Sequence, residues 1–478
     1  MTNPINPAMS PQTWTVADCT RATGGEVLGG EASREFDTIC IDSRQADPQN
    51  LFVAIRGETH DGHRFVADVI SQGVKGLLLA QSRLEDLPWE DWIREGVTCI
   101  AVDDTILALG QLAAYHRKRN GAGVVGITGS NGKTTTRQMT AMVVSQQYRT
   151  LSTRKNFNNN IGLPLTLFEL CPEHRWAVIE MGMNAPGEIG YLAEICRPDI
   201  GVITNVAAAH LEGLGSMEGV MRAKGELLDK IDPGGTAVLN ADDPMVRRLA
   251  RKAVCKVILF GRAEDAAIRA TNVTAAEMGS RFDLALPGDR VTVDLKIPGS
   301  FMVSNALAAA AVGHKIGLPA LAIKAGIEAF VPVQGRMNIT STRSGIQLID
   351  DTYNANPGSM AAALTTLEAL RKNQRAFFVV GDMRELGRQS QALHVELGAL
   401  AARSGITTLF VTGDFADSVA QGASGVGMDT RHIITGSKED LLGKLVQMLK
   451  PGDWVLVKGS RAMTMEDIVN RLHEWADQ

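Results

Sequence analysis

Between residues 35 and about 116 the chain alternates short apolar runs with polar, helix-compatible stretches. Leu51-Phe52-Val53-Ala54-Ile55 has the uninterrupted apolar character of a buried strand, and Gly76-Leu77-Leu78-Leu79-Ala80 repeats it after a helical stretch. This pattern predicts a small α/β domain. From Gly121 onward, buried runs at 124–128, 177–180 and 201–206 alternate with helical segments, as expected of a parallel sheet covered on both faces. A break at Val331-Pro332-Val333-Gln334-Gly335-Arg336 precedes a third set of runs, at 347–350, 376–380, 408–411 and 454–457. The expected architecture is α/β in three domains. These are a small α/β domain over 1–118, a doubly wound nucleotide-binding domain over 119–332 and a Rossmann-like domain over 333–478. No tandem repeat, heptad run or low-complexity tract interrupts this reading.

Length agrees, because 478 residues exceed what one core organises and suggest roughly three domains. With 45% hydrophobic and 21% charged residues the chain has an ordinary globular composition. A net charge of -5 lacks the positive footprint of phosphate-backbone binding, so nucleic acid is not an expected partner. Cys19, Cys40, Cys99, Cys171, Cys196 and Cys255 form no CxxC pair and no metal-spaced cluster, and they read as reduced core thiols. Met1 to Ser10 carries neither a basic nor an apolar leader segment, and no run is long enough to span a bilayer. A cytoplasmic protein without membrane insertion is expected.

The strongest chemical signal is Gly126-Ile127-Thr128-Gly129-Ser130-Asn131-Gly132-Lys133-Thr134-Thr135, placed between an apolar strand and a helix starting near Lys133. Glycines let backbone N–H groups approach phosphate oxygens, Lys133 adds a positive charge, and the Thr134 hydroxyl can ligate Mg²⁺. The usual spacing would place the first glycine at position 127, where this chain has Ile127 between Gly126 and Gly129. A glycine turn carrying a solvated lysine is the bland alternative.

Two further strands end in polar groups that could face this loop: Glu180, and Asn205 with His210 beyond it. A carboxylate at a strand end is a natural Mg²⁺ ligand beside phosphates, although Glu180 could equally be a solvated terminus and His210 a satisfied loop histidine. Over 216–231 the residues Met217, Val220, Met221, Leu227, Leu228 and Ile231 recur at helical spacing, and Lys224 falls on their apolar stripe. A buried ammonium must snorkel, pair with an acid or lose its charge. A neutral amine can add CO₂ to become an anionic carbamate. Spacing alone leaves these outcomes open.

Taken in order, the glycine loop with Glu180, Asn205, His210 and Ala223-Lys224 resembles the Mur ligases along nearly the whole chain. That resemblance implies three domains that bind a UDP-sugar substrate, ATP and an incoming amino acid or dipeptide. It also implies one or two Mg²⁺ ions at Thr134, Glu180, His210 and a carbamylated Lys224, with Lys133, His210 and Lys224 as catalytic groups. Several segments look like the branch that adds D-Ala-D-Ala to a UDP-linked muramoyl tripeptide (UDP-MurNAc-tripeptide). They are Asp42-Ser43-Arg44, Asp61-Gly62-His63, Asn156-Phe157-Asn158-Asn159, Asp350-Asp351-Thr352-Tyr353-Asn354-Ala355-Asn356-Pro357, Gly381-Asp382-Met383-Arg384-Glu385-Leu386-Gly387 and Lys458-Gly459-Ser460-Arg461. No Asp-Asn-Pro-Arg segment is present, which argues against the diaminopimelate-adding relative.

On this resemblance Ser43, Arg44, Asn156, Asn158 and Asn159 would hold the UDP substrate. ATP would meet Thr128 to Thr135, Asn305, Arg336, Asp351, Tyr353 and Asn354, and the dipeptide would meet Asn354, Asn356, Lys458 and Ser460. Relatives often carry His-Asn where this chain has Phe301-Met302, which leaves Asn305 as the adenine contact of that segment. The implied reaction activates the tripeptide carboxylate with ATP and passes it to the dipeptide amine, in a protein expected to be monomeric. A folate-polyglutamate ligase would share the loop and lysine but lack Asp42-Ser43-Arg44. A P-loop kinase would leave phosphate on its product, and a nucleotide-binding regulator would not turn over.

Overall fold

The computed structural model describes residues 13–57, 60–276 and 278–476; the leader reading of Met1 to Ser10 lies outside them. Apolar runs become strands close to where the pattern places them: Asn50–Val53, Gly76–Ala80, Gly123–Thr128, Trp176–Glu180, Gln347–Asp351, Ala376–Val380, Thr408–Val411 and Trp454–Lys458. The run expected over 201–206 is shorter, at Ile200–Ile203. Thr204 and Asn205 leave the ladder because their polar groups bond the glycine loop, as described below. The single helix expected over 216–231 ends at Gly225 and gives way to a 3₁₀ turn at Leu228–Lys230.

Two compact units form, and neither is continuous in sequence. The first gathers the described residues through Gly126 with Tyr148–Gly182 and Gly190–Asp199; the second gathers Ile127–Gln147, Met183–Ile189 and the described residues from Ile200 onward.

In the first unit a five-stranded sheet runs in the order Glu26–Gly29, Thr98–Val102, Gly76–Ala80, Asn50–Val53, Thr38–Cys40. It is parallel except for its first pair. One of its cores extends past the expected boundary at residue 118. Trp14 stacks on His116 at 5.6 Å and meets Phe168 edge-on at 6.0 Å, and His116 Nε2 donates to the Leu170 carbonyl at 3.0 Å.

In the second unit Ile200–Ile203, Thr236–Asn240 and Lys256–Gly261 run parallel. The sheet then continues into Ile268–Ala276, Gly279–Leu286 and Asp289–Leu295, which pair antiparallel. The sequence reading missed this meander. Its signal is the alternation Arg281-Phe282-Asp283-Leu284 with a turn at Gly288, a period of two instead of a buried run. A six-stranded sheet of the same unit follows the order Asn338–Ser341, Gln347–Asp351, Trp454–Lys458, Ala376–Val380, Thr408–Val411, Ile433–Thr435, and all but its first pair are parallel. Its apolar faces pack Leu348, Phe377, Val379, Phe410, Val455 and Val457 into one core.

The six cysteines are free, and five are buried. Cys40 departs from the expectation of a core thiol and is half-buried, with its Sγ 3.3 Å from the Asp42 carbonyl. Among the described residues no helix is long and apolar enough to cross a membrane.

Candidate functional site

The glycine loop joins the strand Gly123–Thr128 to the helix Lys133–Val144. Two of its glycines are demanded by close approach. A Cβ on Gly129, at φ +152°, would lie 1.8 Å from Thr204 Oγ1, and one on Gly132, at φ +78°, would lie 2.4 Å from Asn305 Oδ1. The loop is bonded on its other sides too. Ser130 N–H donates to the Asn205 carbonyl at 3.0 Å, and Ser130 Oγ accepts from Ala207 N–H at 2.9 Å. Asn131 N–H donates to Asn205 Oδ1 at 2.9 Å, while Asn131 O accepts from Thr204 Oγ1 at 2.6 Å and Asn205 Nδ2 at 3.0 Å. Gly132, Lys133 and Thr134 then open a helix whose first N–H groups have no intrahelical acceptor, a geometry suited to phosphate.

Lys133 Nζ folds over the loop to the Gly129 carbonyl at 2.8 Å. Thr134 Oγ1 accepts from Arg336 Nη2 at 3.2 Å, and the Arg336 guanidinium lies 4.0 Å above the Tyr353 ring. Thr128 and Thr135 are buried along the same strand and helix. Asn305, expected at the adenine, sits 5% exposed beneath the loop, where Oδ1 accepts from Thr136 Oγ1 at 3.2 Å.

Lys224 is 1% exposed. Desolvation, followed by the nearby charge of Lys133, pulls its amine well below the ordinary lysine range. His210 has the left-handed φ of 55°, rare for a non-glycine residue. Its Nδ1 lies 2.5 Å from Glu385 Oε2, and this contact holds the Glu385 carboxyl below its usual range. Glu385 is also left-handed, at φ 64°, and its carbonyl accepts from Glu212 N–H at 3.1 Å. The sequence reading quoted Glu385 within a segment but gave it no role; a left-handed pair of non-glycines leaves no mark in the pattern.

Glu180 ends its strand 3% exposed, and its Oε1 accepts from Asn158 Nδ2 at 2.8 Å. The other expected substrate asparagines are placed differently. Asn159 Oδ1 accepts from Gly162 N–H at 2.8 Å at the start of a helix, and Asn156 is exposed. Arg44, also exposed, is held by Asp42 at 2.7 and 2.8 Å, and the pairing draws the Asp42 carboxyl down to about 2. Ser43 is half-buried beside them.

The expected dipeptide residues make internal bonds. Lys458, 2% exposed, donates to Asp351 Oδ2 at 2.5 Å and to the Asn354 carbonyl at 2.9 Å; burial raises the Asp351 carboxyl against the opposing pull of Lys458. Ser460 Oγ accepts from Arg384 N–H at 2.7 Å. Asp350 Oδ2 accepts from Gly335 N–H at 3.0 Å and Asp351 Oδ1 from Met337 N–H at 3.1 Å, so the two carboxylates pin the backbone on either side of Arg336.

A glycine cradle at a helix start, followed by a Rossmann-like sheet whose arginine reaches the cradle, defines a nucleotide-phosphate-binding enzyme of α/β build. The chain belongs to the Mur ligase family. The Mur ligase family catalytic domain matches residues 35–117, the Mur ligase middle domain 127–313, and the Mur ligase glutamate ligase domain 335–461. Within that family it is 39% identical to UDP-N-acetylmuramoyl-tripeptide--D-alanyl-D-alanine ligase of Escherichia coli K12, over 96% of this chain and 98% of that protein. The Bacillus subtilis 168 ligase of the same name is 35% identical, over 91% and 93%. Among solved structures, MurF from Acinetobacter baumannii superposes with a TM-score of 0.89 at 33% identity, covering 97% of this chain and all of that one. MurF from Thermotoga maritima in complex with ADP superposes with a TM-score of 0.80 at 26% identity, covering 91% and 97%.

Proposed function

We propose that this chain is an ATP-dependent ligase that adds D-alanyl-D-alanine to UDP-N-acetylmuramoyl-tripeptide through an acyl phosphate, releasing ADP and phosphate and yielding the pentapeptide precursor of peptidoglycan. The observation that carries this reading is the braced cradle from Gly129 to Thr134, with Lys133 over it and Arg336 against it, in a chain similar along nearly its full length to ligases of that name. The ADP-bound Thermotoga relative supports ATP as the nucleotide.

The amides of Gly132 to Thr134 bind phosphate oxygens, and Lys133 and Arg336 neutralise charge as the tripeptide carboxylate attacks the γ-phosphoryl group. Asp350, Asp351 and Lys458 act through the chain, holding Arg336 in place. Ser43 and Arg44 offer donors to the UDP substrate. Near neutrality an appreciable fraction of an α-amine, with pKa about 8, is already neutral and ready to attack the acyl phosphate.

Among the described residues no three His, Cys, Asp or Glu side chains are grouped to hold a metal ion. The donor chemistry fits Mg²⁺ when the Thr134 hydroxyl and a carbamylated Lys224 are counted, since the buried, charge-depressed amine of Lys224 is the form that adds CO₂. Bound Mg²⁺ would screen the phosphates and polarise the transferring group.

Phosphate release from ATP, measured with UDP-MurNAc-tripeptide and D-Ala-D-Ala each omitted in turn, tests the function. Sustained release that needs all three substrates is expected. Sustained phosphate release without the dipeptide would replace the ligase by a nucleotidase, and ADP formation with the phosphate retained on the product would replace it by a kinase.

A further inference from the structure

The helix Pro357–Arg371 begins at Asn356, whose side chain has two tasks. Oδ1 accepts from Ser359 N–H at 2.9 Å while Ser359 Oγ accepts from Asn356 N–H at 3.0 Å, a reciprocal helix cap. With the oxygen committed to the cap, the amide nitrogen faces away from the helix and donates to Asn131 Oδ1 at 2.7 Å. Asn131 is the crest of the glycine loop. Its backbone is already gripped by Thr204 and Asn205, and Asn356 supplies the grip on its side chain. Gly358 permits the approach, since a Cβ there would lie 3.2 Å from Asn131 Nδ2. Behind Asn356 the segment is anchored by Lys458, through Asp351 and the Asn354 carbonyl.

We propose that Asn356 is a positioning residue for nucleotide binding instead of a dipeptide contact. By fixing the Asn131 side chain it keeps the amides of Gly132, Lys133 and Thr134 aimed at phosphate, so the cradle is complete while the segment 354–359 is docked on it. This rests on the reading that the glycine loop binds the phosphates of ATP.

Asn356→Ser is the informative variant, because serine caps a helix about as well as asparagine but is too short to reach Asn131. Calorimetric titration with a non-hydrolysable ATP analogue and Mg²⁺ should show affinity weakened about five- to tenfold, the scale of one lost hydrogen bond. Without nucleotide the unfolding midpoint should fall only slightly, by no more than one lost hydrogen bond accounts for. Asn131→Ala, which leaves the cap intact, should show the same loss and carries the test if the serine variant is unstable. The double variant should lose no more than either single one. Binding by Asn356→Ser within twofold of the parent, or losses that multiply in the double variant, would overturn the proposal. Lys133→Ala serves as the control: if it binds the analogue as the parent does, the phosphate reading of the loop itself falls.

Discussion

Lys224 was visible in the sequence as a lysine on an apolar stripe, but its fate was not, because spacing cannot tell a snorkelling chain from a sealed one. At 1% exposure, burial and the like charge of Lys133 both disfavour the ammonium. With its folded pKa depressed below the ordinary 10.5, the native chain binds fewer protons here than the unfolded chain, so this group makes stability rise with pH up to that ordinary value. In CO₂-free buffer, urea titrations from pH 7 to 9 should show that rise in the parent and a flatter trend in Lys224→Met. A carbamate at Lys224 predicts a labelled-CO₂ carbon resonance, and loss of activity in Lys224→Ala that formate or acetate partly restores. A bare amine in the native enzyme, with full activity of Lys224→Ala in carboxylate-free buffer, refutes it. Lys133→Ala should lower kcat about 10²- to 10³-fold, as removal of one preorganised charge does, and leave the affinity for UDP-MurNAc-tripeptide near the parent value. Unchanged turnover would take the loop out of the mechanism. The asparagines of 156–159 show the opposite limit of legibility. Three neighbouring amides look alike in sequence, yet one braces Glu180, one accepts from a backbone N–H where a helix starts, and one is exposed.

Strand, glycine loop and helix were legible as elements because each obeys a local rule: an apolar run, positive-φ glycines, and a helix that starts where the glycines stop. What the pattern could not contain was the partner across each close approach. Gly129→Ala places a Cβ against Thr204 Oγ1 at a φ that L-residues rarely adopt, and should cost at least about 1–3 kcal/mol in thermal or urea unfolding and abolish binding of the ATP analogue. Gly132→Ala presses on Asn305 and should follow it. Parent-like binding by both would mean the loop can move aside. Within the second unit the loop 381–387 meets His210 through Glu385, and the depressed Glu385 carboxyl contributes stability above its ordinary range that fades as pH falls through its folded value. Because Glu385 is half exposed, Glu385→Gln should change global stability by less than about 1 kcal/mol while speeding amide exchange in 381–387. Unchanged exchange would make the contact incidental. The antiparallel meander over 268–295 shows no buried apolar run, because its strands alternate apolar and polar residues with a period of two.

At the scale of the molecule, three α/β segments in order were legible from length and breaks in pattern, and the family domains follow the same order. The cores were not, because a core is assembled from distant stretches. Trp14 and His116 pack on Phe168, so a fragment ending at residue 118 would expose this face. Such a fragment should unfold with little cooperativity. In the full chain Phe168→Ala should destabilise the first unit by about 2–3 kcal/mol, less than for a fully buried phenylalanine. A sharp two-state transition for residues 13–118 alone would show that the aromatic face contributes little. The discontinuity of the first unit also bears on how the protein is made. At about 5–20 residues per second a ribosome needs roughly 8–30 s to pass from Trp14 to Phe168. Until Phe168 emerges, the aromatic face around Trp14 waits for its cover, which makes the nascent segment a natural client for a chaperone.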